Sequence, residues 1–312
     1  MAGDRQPLAD GLQLATRNLQ PATRNPQPVT RNPSHTNRPL FFATLYLNQP
    51  STLMPKTAMI LAAGKGERLL PLTDTLPKAL VTVGGMTMLE IVMRRLKYFG
   101  FEEVIINVHH LAGQILSYLD EHDNFGLAVH VSHEQDRPLD TGGALKRAYP
   151  LIDDNKPLLV HNVDILSDID LAGLYDAHVR SQALVTLAVK ERDSSRVFLF
   201  DEAGRLCGWK NRVIGAVRPP ALPAGDYRER AFSGIQVVGP HFFEKSFRSS
   251  CFPEKEDVFS IVDVYLCLAS RHLITGYDPG GGCWLDLGRR EGLQQAETLP
   301  DLLNLHGSDS FS

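Results

Sequence analysis

The segment Gly64–Lys65–Gly66–Glu67–Arg68–Leu69–Leu70–Pro71–Leu72–Thr73–Asp74–Thr75–Leu76–Pro77–Lys78 holds the parts needed to grip a polyphosphate. Two glycines let the backbone come close to a phosphate and aim N–H groups at it. Arg68 offers a planar fork that takes phosphate oxygens in pairs. Lys78, fixed behind Pro77, adds a second positive charge. A triphosphate needs this neutralisation before an anionic nucleophile can approach it. Leu61, Ala62 and Ala63 lead into the segment from an apolar run, so the loop follows a buried strand. With Gly64, Lys65 and Gly66 they are the candidate nucleotide contacts. Two rival phosphate motifs do not fit. A Walker A loop needs GxxxxGK[ST], which is absent, and a dinucleotide fingerprint needs a third glycine where Leu69 stands.

Further along, Asp164 closes the run Leu158–Leu159–Val160–His161–Asn162–Val163. A carboxylate at the carboxyl end of a strand suits a hard cation such as Mg²⁺, which prefers oxygen ligands and keeps several waters. Asp168 and Asp170 are the alternatives that would merely cap the next helix. Glu134 follows another strand and can accept from a base N–H, of uracil or guanine alike. Gly142 and Gly143 sit at a predicted helix start, where small residues would let a base or ribose lie against backbone. His109 and His110 also follow a strand and read as structural.

The full pattern GxGxRxxPxxxxxPK resembles the signature of the sugar-1-phosphate nucleotidyltransferases, the family of glucose-1-phosphate thymidylyltransferase and mannose-1-phosphate guanylyltransferase. The resemblance runs from Met54 to about Glu297. Gly66–Glu67–Arg68, the Leu139–Asp140–Thr141–Gly142–Gly143 stretch and the short form without a β-helix are similar to N-acetylmuramate-1-phosphate uridylyltransferases. The resemblance implies that Arg68, Lys78 and Asp164 are catalytic. It also implies that Asp286, in Trp284–Leu285–Asp286–Leu287–Gly288, joins Asp164 as a Mg²⁺ ligand. Val163 stands where the family has a glycine before the aspartate. Lys210 aligns with a family lysine that holds the sugar phosphate, although Trp209 replaces the acid before it. Lys190 is the rival for that task, and Gly234 resembles a position that meets sugar hydroxyls.

The implied reaction is transfer of a nucleoside monophosphate from a triphosphate to a sugar 1-phosphate, releasing pyrophosphate. UTP and an N-acetylmuramate 1-phosphate-like acceptor are expected. A mannose-1-phosphate guanylyltransferase, a phosphocholine cytidylyltransferase with Trp209, Tyr227 and Trp284 as a cage, and a non-catalytic nucleotide-sugar sensor are the alternatives.

Positioning these residues takes alternating strands and helices. Apolar runs at Thr57–Ala62, Val104–Val108, Leu127–Val131, Pro157–Val163, Leu184–Lys190 and Val197–Asp201 predict strands. Helices fall between them: Leu89, Val92, Met93 and Leu96 share one face of a helix that ends at Gly100. This order predicts an α/β fold: a Rossmann-like mixed, mostly parallel sheet flanked by helices, with ligands at the carboxyl ends of the strands. The stretch from about 190 to 280 reads as added antiparallel strands, and a helix is predicted near Arg290–Glu297.

Residues 54–300 form the expected domain, with a tail over 301–312. Residues 1–53 carry Ala15–Thr16–Arg17–Asn18, Ala22–Thr23–Arg24–Asn25 and Val29–Thr30–Arg31–Asn32 at seven-residue spacing, a polar proline-rich tract that reads as a disordered extension. Met54 is an alternative start. A net charge of -4 argues against a nucleic-acid partner, and no apolar run is long enough for a membrane span. Cys207, Cys251, Cys267 and Cys283 read as free thiols in a reduced, cytoplasmic setting. Monomer and homodimer both remain open.

Overall fold

The computed structural model describes residues 55–299, so the readings for residues 1–53 and 301–312 lie outside the described residues. The phosphate segment follows β1 (Lys56–Leu61) and leads to a small hairpin of β2 (Thr82–Val83) and β3 (Met86–Thr87). Helix α1 (Met88–Tyr98) buries Leu89, Val92, Met93 and Leu96 on one face, as their spacing requires. Its ends are also legible: Thr87 accepts a hydrogen bond from the Glu90 N–H at 3.0 Å, and Gly100 takes the left-handed conformation past the last turn. Burying each such leucine or methionine stabilises by roughly 1.5–3 kcal/mol.

The chain then alternates through β4 (Phe101–Val108), α2 (Ala112–Glu121), β5 (Ala128–His133), α3 (Asp140–Ala148) and β6 (Leu158–Asn162). A short β7 (Ile165–Ser167) precedes α4 (Leu171–Ser181), which Asp170 caps by accepting from the Gly173 N–H at 2.9 Å. Next come β8 (Val185–Lys190), β9 (Arg196–Phe200), β10 (Leu206–Asn211), β11 (Val217–Arg218) and the long β12 (Arg228–Val238). Helices α5 (Phe242–Arg248) and α6 (Ile261–Ala269), strands β13 (Ile274–Tyr277) and β14 (Trp284–Asp286), and α7 (Arg290–Glu297) complete it.

One ten-stranded mixed sheet results. Its strands β5, at one edge, β4, β1 and β6 are parallel, so their carboxyl ends lie on one side. Strand β12 then runs antiparallel to β6, β8 and β9 and carries the sheet into the β9–β10–β11 extension. Strand alternation feeds two cores. Ala58, Ile60, Val104 and Ile106 face the layer of α1, α2 and α4, while Met59, Ile105 and Val160 face α3, α5 and α6. The α/β architecture expected from the sequence is the one observed.

Two features depart from expectation. The 190–280 stretch contains α5 and α6 besides its antiparallel strands. Cys251 and Cys267 are not free: they form a disulfide with Cα atoms 5.7 Å apart. Their 16-residue separation carried no local signal, because the pair forms only when the strap over residues 251–260 folds back along α6. Cys207 and Cys283 are free. Among the described residues no helix is long and apolar enough to cross a membrane.

Candidate active site

The loops that follow β1, β4, β5 and β6 meet over the carboxyl ends of the parallel strands. The loop after β1 owes its shape to Gly66, whose φ of 70° is a left-handed conformation. A Cβ there would stand 2.8 Å from the Thr73 methyl and 3.1 Å from the Lys78 Cβ. Thr73, buried, ties the turn by donating to the Gly66 carbonyl at 2.8 Å. Gly64 has open space where a side chain would go, which is what close approach of a ligand requires.

A cavity of about 720 Å³ opens over this loop. Leu61, Ala63, Gly64, Lys65, Gly66, Arg68 and Lys78 line it from the loop side. Ala62 does not; it is buried, and its N–H donates to the Asn107 side chain at 2.6 Å. Asn107 in turn donates to Glu134 at 2.6 Å, and the other Glu134 oxygen accepts from the Leu139 N–H at 2.8 Å. This relay clamps the loops after β1 and β5 to the end of β4. Burial pushes the Glu134 carboxyl up, and the Asn107 and Leu139 hydrogen bonds offset part of that rise. Glu134 borders the cavity, but both its oxygens already serve the protein. His109 has a structural role, its Nδ1 lying 2.7 Å from the Glu134 carbonyl.

Gly142 and Gly143 have a different task from the one their composition suggested. Both N–H groups donate to the Phe259 carbonyl, at 2.9 and 3.2 Å. A Cβ on Gly143 would meet the Asp257 carbonyl at 1.9 Å, and one on Gly142 the Phe259 ring at 2.5 Å. The protein's own strap lies against this helix start. Thr141 and Ala144 face the cavity instead.

Asp164 reaches the cavity from the end of β6, where Lys78 pairs with it. The antiparallel bridge between β7 and β14 sets Asp286 opposite Ile165, and the Leu287 N–H donates to the Asp164 carbonyl at 2.8 Å. A Cβ added to Gly288 would lie 2.6 Å from an Asp164 oxygen, 2.7 Å from the Lys78 ammonium and 3.0 Å from an Asp286 oxygen. Only glycine leaves that point open. Two carboxylates converging there make a donor set that suits Mg²⁺, which takes one or two carboxylates and fills its shell with water and phosphate oxygens. No group of three or more His, Cys, Asp or Glu that could hold a metal occurs among the described residues.

A second cavity of about 880 Å³ adjoins the first, with Arg68, Asn162 and Arg196 forming a shared wall. Asp286 and Gly234 line it. Gly234 has a φ of 74°, and a Cβ there would press on Ile165 and Asn162. The two candidate lysines are elsewhere. Lys210 pairs with Glu229 at 2.8 Å, and Glu229 also binds Arg212 at 2.8 Å. Lys190 donates to the Gly282 carbonyl. Neither lines either cavity.

Asn107, Asn162, Arg192 and Arg196 went unnoticed in the sequence. The two asparagines did carry a signal: each is a polar residue breaking an apolar run near the carboxyl end of a parallel strand. The arginines lie in or beside an irregular turn and carried none.

The profile of the family described as nucleotidyl transferase matches residues 57–299. The N-acetylmuramate alpha-1-phosphate uridylyltransferase of Neisseria meningitidis is 29% identical over 257 residues, spanning 78% of this chain and 97% of that one. Its counterpart from Caulobacter vibrioides is 28% identical, spanning 78% and 96%. A mannose-1-phosphate guanyltransferase from Kluyveromyces lactis is 28% identical over 74% of this chain but 61% of its own length. Among solved structures, a putative glucose-1-phosphate thymidylyltransferase from Bacillus anthracis superposes with a TM-score of 0.63 at 20% identity, spanning 82% of this chain and 97% of that one.

Proposed function

The chain belongs to the nucleotidyl transferase family as a sugar-1-phosphate nucleotidyltransferase, and from that premise we propose that it joins UTP to an N-acetylmuramate 1-phosphate-like acceptor, releasing pyrophosphate. The observation that carries the chemistry is the convergence of Lys78, Asp164 and Asp286 on the open point at Gly288, beside the wall that the two cavities share. The choice of uracil and muramate rests on relatives matched over nearly their whole length.

In this reading the triphosphate lies along Gly64–Gly66, with Arg68 and Lys78 neutralising it. The acceptor occupies the neighbouring cavity. Its phosphate oxygen attacks the α-phosphorus in line, the new P–O bond forms, and the bond to the β-phosphate oxygen breaks. A phosphate monoester is already ionised near neutral pH, so no general base is required. Catalysis then consists of positioning and charge neutralisation. Asp164 and Asp286 would hold Mg²⁺, which supplies charge stabilisation to the phosphates when bound.

A phosphocholine acceptor fits poorly. The Trp284 and Trp209 rings already carry the Arg192 and Arg218 guanidinium groups, at 3.7 and 4.3 Å, so one face of each is taken by a cation that would repel a quaternary ammonium. Mannose 1-phosphate with GTP is the second reading, favoured by the yeast relative. A pyrophosphate-release screen of UTP, GTP, CTP, dTTP and ATP against N-acetylmuramate, mannose and glucose 1-phosphates tests both. Turnover confined to GTP with mannose 1-phosphate would replace the first reading by the second.

A further inference from the structure

The acceptor cavity lacks the lysine expected to meet the sugar phosphate, yet it is rich in guanidinium groups. Arg68, Arg192, Arg196 and Arg289 all line it. Arg289 is paired with Asp286 at 3.2 Å, while Arg68 and Arg196 span the boundary with the nucleotide cavity. Arg192 is pinned in place by neutral groups. Its guanidinium lies 3.7 Å from the centre of the Trp284 ring, and its Nη2 donates to the Phe232 carbonyl at 2.9 Å. Trp284 is itself anchored, its indole N–H donating to the Ser233 carbonyl at 2.9 Å.

These contacts fix the plane of the fork and leave Nη1 without a hydrogen-bond partner among the described residues. The Nε–H is buried and unpaired. Burial makes the cation costly, and Asp286 offsets part of that cost. A half-buried guanidinium held flat with unused donors is a site short of an anion.

We propose that Arg192, held by the Trp284 ring and the Phe232 carbonyl, receives the acceptor's phosphate in place of a lysine. The assignment rests on the sugar 1-phosphate reading above. The stacked partner and the Asp286 carboxylate lie two residues apart on β14, so the residue that orients Arg192 is built on the same strand as the proposed metal ligand. The phosphate would therefore arrive beside the carboxylates and facing the shared wall. Lys210 is the contrast: its ammonium is spent on Glu229.

Steady-state kinetics with UTP and N-acetylmuramate, glucose or mannose 1-phosphate test the proposal on the wild type, Arg192→Ala, Arg192→Lys and Lys210→Ala. Losing a hydrogen-bonded charge should raise the acceptor KM of Arg192→Ala on the order of tenfold to a hundredfold. Its UTP KM and Mg²⁺ half-saturation should stay within about twofold, since a merely structural role, acting through Asp286, would move those instead. Arg192→Lys should recover only part of the loss, because an ammonium cannot reproduce the stacked fork. Lys210→Ala should keep its acceptor KM. An unchanged acceptor KM in Arg192→Ala, or a shift in Mg²⁺ dependence with it, overturns the assignment while the reaction stands. A wild type that releases no pyrophosphate from either UTP or GTP with any of the three acceptors overturns the reaction and the assignment together.

Discussion

Asp164 is held from two sides, by the Lys78 ammonium at its carboxylate and by the Leu287 N–H at its carbonyl. Asp164→Asn keeps that size and removes the charge, so kcat should fall about a thousandfold while the fold stays intact. Pyrophosphate release and circular dichroism on one sample would check this; near-normal turnover would remove Asp164 from the mechanism. Two buried histidines set a pH response of stability. Burial pulls His161 and His178 from 6.5 down to about 4. Between those values the unfolded chain binds more protons than the folded one. Their stabilising contribution is therefore complete above pH 6.5 and drains as pH falls towards 4, by up to about 3 kcal/mol for each. Urea unfolding of the wild type across that window should show the loss, and His178→Gln should flatten the slope. Lys210 lies away from both cavities for a simple reason. In β10 the side chains alternate, Trp209 reaches the second cavity, and its neighbour Lys210 must then face away. A motif alignment finds the residue but not the face it occupies.

At the scale of elements, the start of α3 and the strap over it are one unit. Gly143→Ala drives a methyl into the Asp257 carbonyl, so we expect a loss of several kcal/mol in unfolding free energy together with weaker UTP binding. Gly113→Ala is the control: it is exposed in α2 with nothing within 4 Å, and alanine there should stabilise by about 0.5–1 kcal/mol. Equal effects of the two substitutions would contradict this account. The contrast also explains which elements were legible. Helices such as α1 declare themselves by apolar spacing and end signals, both local properties. A glycine pair at a helix start looks the same in sequence whether a ligand or a distant strap occupies the space above it. Phe259 is far along the chain, and nothing near Gly143 announces it.

For the whole molecule, the parallel half of the sheet and its two-sided core followed from the order of apolar runs. Antiparallel strands over 190–280 were expected too, but not their pairing, because β12 joins three strands through contacts distant in sequence. The disulfide belongs to the same category. Closing its loop should stabilise the domain by about 3 kcal/mol, so dithiothreitol should lower the urea midpoint of the wild type and leave a Cys251→Ser/Cys267→Ser variant unmoved. Because the family profile begins at residue 57, a chain starting at Met54 is expected to retain the wild-type kcat/KM. A loss of activity on that truncation would assign residues 1–53 a part in catalysis.

The wall shared by the two cavities consists of Arg68, Asn162 and Arg196. Guanidinium and amide groups donate hydrogen bonds; they do not attack phosphorus. With no nucleophile on that wall, the proposed transfer crosses it as one displacement, with no nucleotide bonded to a side chain there. Isotopically labelled pyrophosphate should therefore not exchange into UTP until the sugar 1-phosphate is added, and inversion at the α-phosphorus should mark each turnover as a single displacement.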